Sequence, residues 1–297
     1  MNDQPIILRA GALETALSPE AGGSLRWLSY DGVDLLRRAP DGSADPLAMA
    51  SFPLVPYANR IAHGRFPFDG KNCQLRRNFG DHPHSIHGVG WQTKWTAKET
   101  YADSIKLVQI HDVNDDWPWP FRAEQCVALK SSHMSMSLSL TNVGDTPMPA
   151  GLGFHPYLLA DAATHLQFDA KSLWLSTPDM LPDREVSADR LGDWSHPAPV
   201  LGDGLIDNVY GGWGGSATVL RGDGLRLTLR ATGADWLHVF RPPGGTDFCL
   251  EPVSHMPDAL NRADGMAIVA PGATHSLSMR IEIGKSDQVL PKSAGIA

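Results

Sequence analysis

Four short segments concentrate side chains that can move protons or grip an oxygen-rich ligand, each set among Gly and Pro. They are Pro56-Tyr57-Ala58-Asn59-Arg60-Ile61, His82-Pro83-His84-Ser85-Ile86-His87-Gly88, Gly151-Leu152-Gly153-Phe154-His155-Pro156-Tyr157-Leu158 and Phe248-Cys249-Leu250-Glu251-Pro252-Val253-Ser254-His255. Polar loop residues on a rigid scaffold are common places for binding and catalysis. Glu251 follows an apolar run and precedes Pro252, which holds it extended at an expected strand end. Partly desolvated, its carboxylate is a candidate general base; the plain alternative is a surface Glu at a strand terminus. His155 sits between Phe154 and Pro156, and an imidazole there suits a general acid near neutral pH. Its plain alternative is a half-buried histidine with its hydrogen bonds satisfied. Arg60, after Asn59, offers fixed donors to ligand oxygens, or an ion pair that only holds a loop.

His82, His84 and His87 invite a metal reading, since imidazole is a common zinc ligand. Their H-x-H-x-x-H spacing is not a strong zinc pattern, and on a strand His87 would face away from the other two. No metal site is expected. The chain also lacks G-x-G-x-x-G, Walker A, G-x-S-x-G and H-E-x-x-H sequences. Nine Trp residues could offer faces to a sugar ring, Trp91 lying closest to the histidine loop, although most Trp side chains serve packing.

The elements that must carry these segments read as strands. Met134, Met136, Leu138 and Leu140 alternate with serines, and Leu225, Leu227 and Leu229 alternate with Arg226 and Thr228. Leu277, Met279, Ile281 and Ile283 repeat the pattern. Such alternation puts apolar side chains on one face of a half-buried strand. Shorter β-like runs are Ile105 to Ile110 and Trp236 to Phe240. Helical signals are confined to a turn or two near Ser254 to Asn261. The 29 Gly and 23 Pro residues argue for many turns. The fold class is therefore all-β, a large antiparallel β-sandwich forming one domain over 1–297, with 285–297 as a frayed tail.

The 25 basic and 33 acidic residues give a net charge of −8, which excludes any global pull toward nucleic acid or anionic membrane. No apolar run approaches the roughly 20 residues of a membrane span, and the first residues lack signal-peptide character. Cys73, Cys126 and Cys249 are expected to be reduced thiols of a cytoplasmic protein.

Taken in order, the segments resemble the aldose 1-epimerase (galactose mutarotase) family. The matching features are Asn59-Arg60-Ile61, Asp69-Gly70, Ile86-His87-Gly88, Gly153-Phe154-His155-Pro156-Tyr157, Ile206-Asp207 and Leu250-Glu251-Pro252, over about Ile7 to Ile283. The resemblance implies a mutarotase-like supersandwich with a sugar cleft on one sheet, working without metal or organic cofactor. It implies Glu251 as the base that takes the anomeric hydroxyl proton and His155 as the acid that protonates the ring oxygen. It further implies that Arg60, Asn59, His87 and Asp207 bind the monosaccharide, in a monomer or homodimer.

Departures from the family pattern lie near the implied sugar contacts: Gly88-Val89-Gly90-Trp91, Pro252-Val253-Ser254-His255 and Asp207-Asn208-Val209-Tyr210. They leave the chemistry and open the identity of the sugar. An anionic hexose, with His82, His84, Arg76 and Arg77 as positive partners, is one alternative. A hexose-phosphate epimerase and a non-catalytic sugar-binding module are others. The mechanism requires Glu251 and His155 to converge in one cleft, with room for the anomeric carbon and ring oxygen between them.

Overall fold

The structure is a computed structural model and describes residues 4–263 and 265–286. It is built from antiparallel sheets, and the helical pieces among the described residues are short 310 turns. The largest sheet has nine strands. Three of its central neighbours are His133–Asn142, Thr274–Lys285 and Leu225–Thr232. These are the three alternating runs of the sequence, now side by side. Their apolar sets, including Met134, Met136, Leu138, Leu140, Leu227, Leu229, Leu277, Met279 and Ile281, are buried in one core cluster. Each such side chain contributes about 1.5–3 kcal/mol through the area it removes from water. The serines between them face outward because successive side chains point to opposite faces.

A second sheet of eight strands holds the chemistry. Its path runs Pro182–Ser187, Ser172–Ser176, Ile206–Gly211, Trp236–Arg241, Asp247–Val253, Gly153–Phe154 and Pro53–Leu54, and Tyr157–Leu159 also pairs with Asp247–Val253. One face of this sheet supplies Tyr210, Leu237, Val239, Phe248 and Leu250 to the common core. The opposite face is not left to water. Phe52, Leu54, Ala58, Ile86, Trp91, Tyr157, Cys249 and Val253 form a second apolar cluster against it. Polar groups on that face therefore sit in a partly dry environment, where their charges are costly and their hydrogen bonds strong.

Two expectations shift in detail. Lys285 closes the strand Thr274–Lys285 rather than opening a frayed tail, and 287–297 lie outside the described residues. The segment near Ser254 to Asn261 forms one 310 turn, Ala259–Asn261.

Candidate active site

Glu251 is placed by strand register. It lies inside Asp247–Val253, not at a strand end, and its Cα pairs with that of His238 on Trp236–Arg241. On the other side Gly153 pairs with Val253 and Tyr157 with Cys249. The same register sets His155 opposite Glu251. His238 and Glu251 thus stand side by side on two neighbouring strands, and His155 continues the row from the break between Gly153–Phe154 and Tyr157–Leu159, on the face away from the main core. Pro252 is tolerated within the strand because the neighbouring ladder is interrupted there, between Gly153–Phe154 and Tyr157–Leu159.

His155 Nε2 stands 3.3 Å from Glu251 Oε1, and both side chains are almost fully buried. The imidazole packs against two rings, Phe52 at 4.5 Å and Tyr157 at 4.7 Å, whose own centroids lie 6.4 Å apart. The outer face of Tyr157 is in turn covered by the Arg37 guanidinium at 3.5 Å. Glu251 Oε2 and His155 Nδ1 are buried without a hydrogen-bond partner. Buried polar atoms are normally paired, and orphans of this kind mark a place where a ligand or ion completes the site. Burial pushes the Glu251 carboxyl well above its usual range, and the nearby Asp207 charge adds to this, opposed by Arg60. Burial, with repulsion from His238, holds His155 down at about 3. Both shifts favour the uncharged forms of the two side chains.

The second group of side chains comes from two loops tied together. Arg60–Ile61 pairs with Ser85–Ile86. Asn59 and His87, flanking that pairing, both adopt left-handed backbone, with φ of 55° and 60°. The Asn59 N–H donates to His87 Nδ1 at 3.1 Å, and the His87 N–H donates to the Asn59 carbonyl at 2.9 Å. Burial keeps the His87 ring neutral, so this hydrogen bond assigns its proton to Nε2. Gly88 follows at φ 69°, and a Cβ there would fall 2.3 Å from the Val55 carbonyl oxygen, so only glycine lets the loop close. The His87 and His155 rings stand nearly perpendicular, with centroids 5.4 Å apart.

Asp207 ties the two groups. Its Oδ1 lies 2.7 Å from His238 Nε2, and its Oδ2 accepts from Arg60 Nη2 at 3.1 Å. Burial alone would raise its carboxyl, but the hydrogen bond and charge of His238 together with Arg60 outweigh burial and hold it well below the carboxylate range. Arg60 Nη1 also donates to Asn59 Oδ1 at 3.1 Å. The six residues singled out in the sequence (Glu251, His155, Arg60, Asn59, His87 and Asp207) are thus joined through His238 and the ring contact of His87.

Not everything expected gathers here. Glu251 and His155 are in contact rather than a sugar's width apart, so a ring would lie over the pair, not between its members. The exposed Arg76 pairs with Asp116 at 3.4 Å. Arg77 lines a surface hollow with His63, Arg65, Gln74 and Pro83, outside the row. His82 and His84 do not sit on a strand, although His82 lies close enough to feel the charges of Arg60 and Asp207. His84 is fully buried with Nε2 3.3 Å from Asp179, and His82 lies edge-on to it at 5.2 Å. His238 is the residue the sequence reading missed. Its signal was a lone polar side chain two residues from each of Trp236 and Phe240, which alternation sets on the same face. Cys249 is also on this face, and its thiol, the His155 imidazole and the Glu251 carboxylate offer ligand atoms all within 4.8 Å of one another.

Residues 5–282 match the aldose 1-epimerase family. The uncharacterized protein YphB of Escherichia coli is 32% identical over 291 residues, covering 93% of this chain and 98% of that protein. A crystal structure of a putative aldose 1-epimerase from Escherichia coli K12 superposes with a TM-score of 0.89 at 29% identity, covering 95% of this chain and 99% of the other. The galactose 1-epimerase of Lactobacillus acidophilus shares the fold, with a TM-score of 0.77 at 13% identity over 94% of this chain and 93% of its own. The chain belongs to the aldose 1-epimerase family.

Proposed function

We propose that this protein interconverts the α and β anomers of a hexose, with Glu251 and His155 as its proton-transfer pair. The observation that carries this reading is the pair itself. Two proton-handling groups of opposite charge type face each other at 3.3 Å, each with an unpartnered buried atom. Opening a pyranose at the anomeric carbon takes a proton from the anomeric hydroxyl and gives one to the ring oxygen. Those two oxygens share one carbon, so two acid–base groups in contact can serve both. Glu251 as carboxylate takes the hydroxyl proton while His155 as imidazolium protonates the ring oxygen, and the C1–O5 bond breaks to leave the aldehyde. The pair is then uncharged, the form that burial favours. Rotation about C1–C2 and reclosure on the other carbonyl face returns both protons with roles reversed. Proton transfer within the pair links the uncharged form to the charged one when sugar hydroxyls arrive.

The remaining side chains bind. His87 Nε2–H donates to a sugar hydroxyl, and Arg60 and Asn59 contribute further polar contacts. Asp207 accepts from hydroxyls with the lone pairs that His238 and Arg60 leave free. The protein would act as a single cytoplasmic domain, alone or as a homodimer, on a free monosaccharide.

The test is anomer-exchange NMR over neutral, phosphorylated, sulfonated and deoxy hexoses. Acceleration by the wild type should fall by about 10²–10⁴ in Glu251→Gln and in His155→Asn, the usual worth of a positioned acid or base. Wild-type rates in both variants would refute the mechanism. Saturable binding with no acceleration of any sugar would instead support the non-catalytic binding reading.

A further inference from the structure

We propose that Cys249, Glu251 and His155 form a binding site for a thiophilic divalent cation such as Zn2+, and that the ion blocks the proton-transfer pair. Cys249 and Glu251 are two apart on the strand Asp247–Val253 and so share a face, and His155 comes from across the register. A thiolate, an imidazole and a carboxylate are the three ligand types zinc takes most readily. Metal–ligand lengths of about 2.1 Å at a tetrahedral angle put a nitrogen and an oxygen ligand about 3.4 Å apart, and a sulfur about 3.6 Å from either. The His155 Nε2 and Glu251 Oε1 atoms stand 3.3 Å apart already, and the set including the sulfur spans no more than 4.8 Å. A small inward movement of the Cys249 side chain completes the triangle.

Burial holds the Cys249 thiol protonated, so the ion must displace that proton as it binds. Phe52 and Tyr157 pack against the His155 ring and limit its swing. Glu251 Oε2 is buried without a partner and can share the ion or orient a fourth ligand. Cys249 is fully buried and His155 is the most exposed of the three, so the ion enters past His155. An ion there holds the lone pairs of both Glu251 and His155 and leaves neither free to take a sugar proton.

Binding is independent of the epimerase reading, and only the blockade rests on it. Co2+ titration of the wild type should give a thiolate-to-metal charge-transfer absorption in the near ultraviolet together with tetrahedral d–d bands. Cys249→Ala and Cys249→Ser should lose the charge-transfer absorption, whereas Cys73→Ala and Cys126→Ala should keep it. In anomer exchange, Zn2+ should inhibit the wild type, and Cys249→Ala should keep its metal-free rate while needing about 100-fold more Zn2+. No charge-transfer absorption in the wild type, or an equal one in Cys249→Ala, overturns the site. Equal Zn2+ sensitivity of wild type and Cys249→Ala overturns the blockade. Failure to catalyse exchange of any sugar bears on the function alone, because the cobalt spectrum still decides the site.

Discussion

His255 offers a stability test that does not depend on any sugar. Its buried ring joins two loops: Nε2 accepts from the Ala58 N–H at 3.0 Å, and Nδ1 donates to the Met256 carbonyl at 2.8 Å. Both bonds together require a neutral ring, and burial holds its pKa down from 6.5 to about 4. Between about pH 4 and 6.5 the unfolded chain binds a proton at this position that the folded chain does not. Stability from this group is therefore complete above pH 6.5 and is lost as pH falls toward 4. With these two values, moving from pH 7.5 to pH 5 removes about 2 kcal/mol. Other buried histidines titrate in the same direction, so the measurement is a comparison. Urea unfolding of wild type and His255→Gln at both pH values should show the wild type losing about 2 kcal/mol more than the variant. Equal losses in the two proteins would refute the assignment of a neutral, doubly bonded His255.

Three further outcomes are expected. His238→Asn should cut kcat/KM for anomer exchange by roughly tenfold or more, the worth of a hydrogen bond to a charged group, because Asp207 loses one of its two clamps; an unchanged kcat/KM would remove His238 from the site. Gly151→Ala should lower urea stability by roughly 1–3 kcal/mol through overpacking. Its Cβ would fall 2.0 Å from the His255 ring, and wild-type stability would show that the ring moves aside freely. Phe52→Leu should keep the fold and slow exchange by up to about tenfold, since an aromatic pair is worth roughly 0.5–1.5 kcal/mol and here it fixes the His155 plane. A rate equal to wild type would mean that Tyr157 alone fixes the ring.

Most of the architecture was legible in the sequence because alternation is a local property. Met134 to Leu140, Leu225 to Leu229 and Leu277 to Ile283 announced themselves as strands, although nothing in them said that they would be neighbours. Glu251 and His155 were legible as reactive types in turn-rich segments, and the ordered resemblance raised them above ordinary surface residues. Their contact was not legible, since it depends on the pairing of Gly153 with Val253 and Tyr157 with Cys249. His238 was hidden inside an apolar run whose bulk signalled packing. Arg76 and Arg77 stay beside the histidine loop but outside the row, Arg77 in the hollow with Pro83 and Arg76 through its carbonyl, which accepts from Ser85 Oγ. The Arg76 guanidinium pairs with Asp116.

Glu251 and His238 are held by backbone pairing, with His155 set opposite by the register on either side of it, while Asn59, Arg60 and His87 ride on loops joined to each other by one short ladder and two hydrogen bonds. Lengthening or reshaping those loops leaves the spacing of the row untouched, because sheet register does not depend on what crosses above it. The fold therefore separates two kinds of change. A relative can come to grip a different ring pattern by altering its loops, whereas a one-residue slip of the strand carrying Glu251 would turn the carboxylate into the core and end any proton transfer at once.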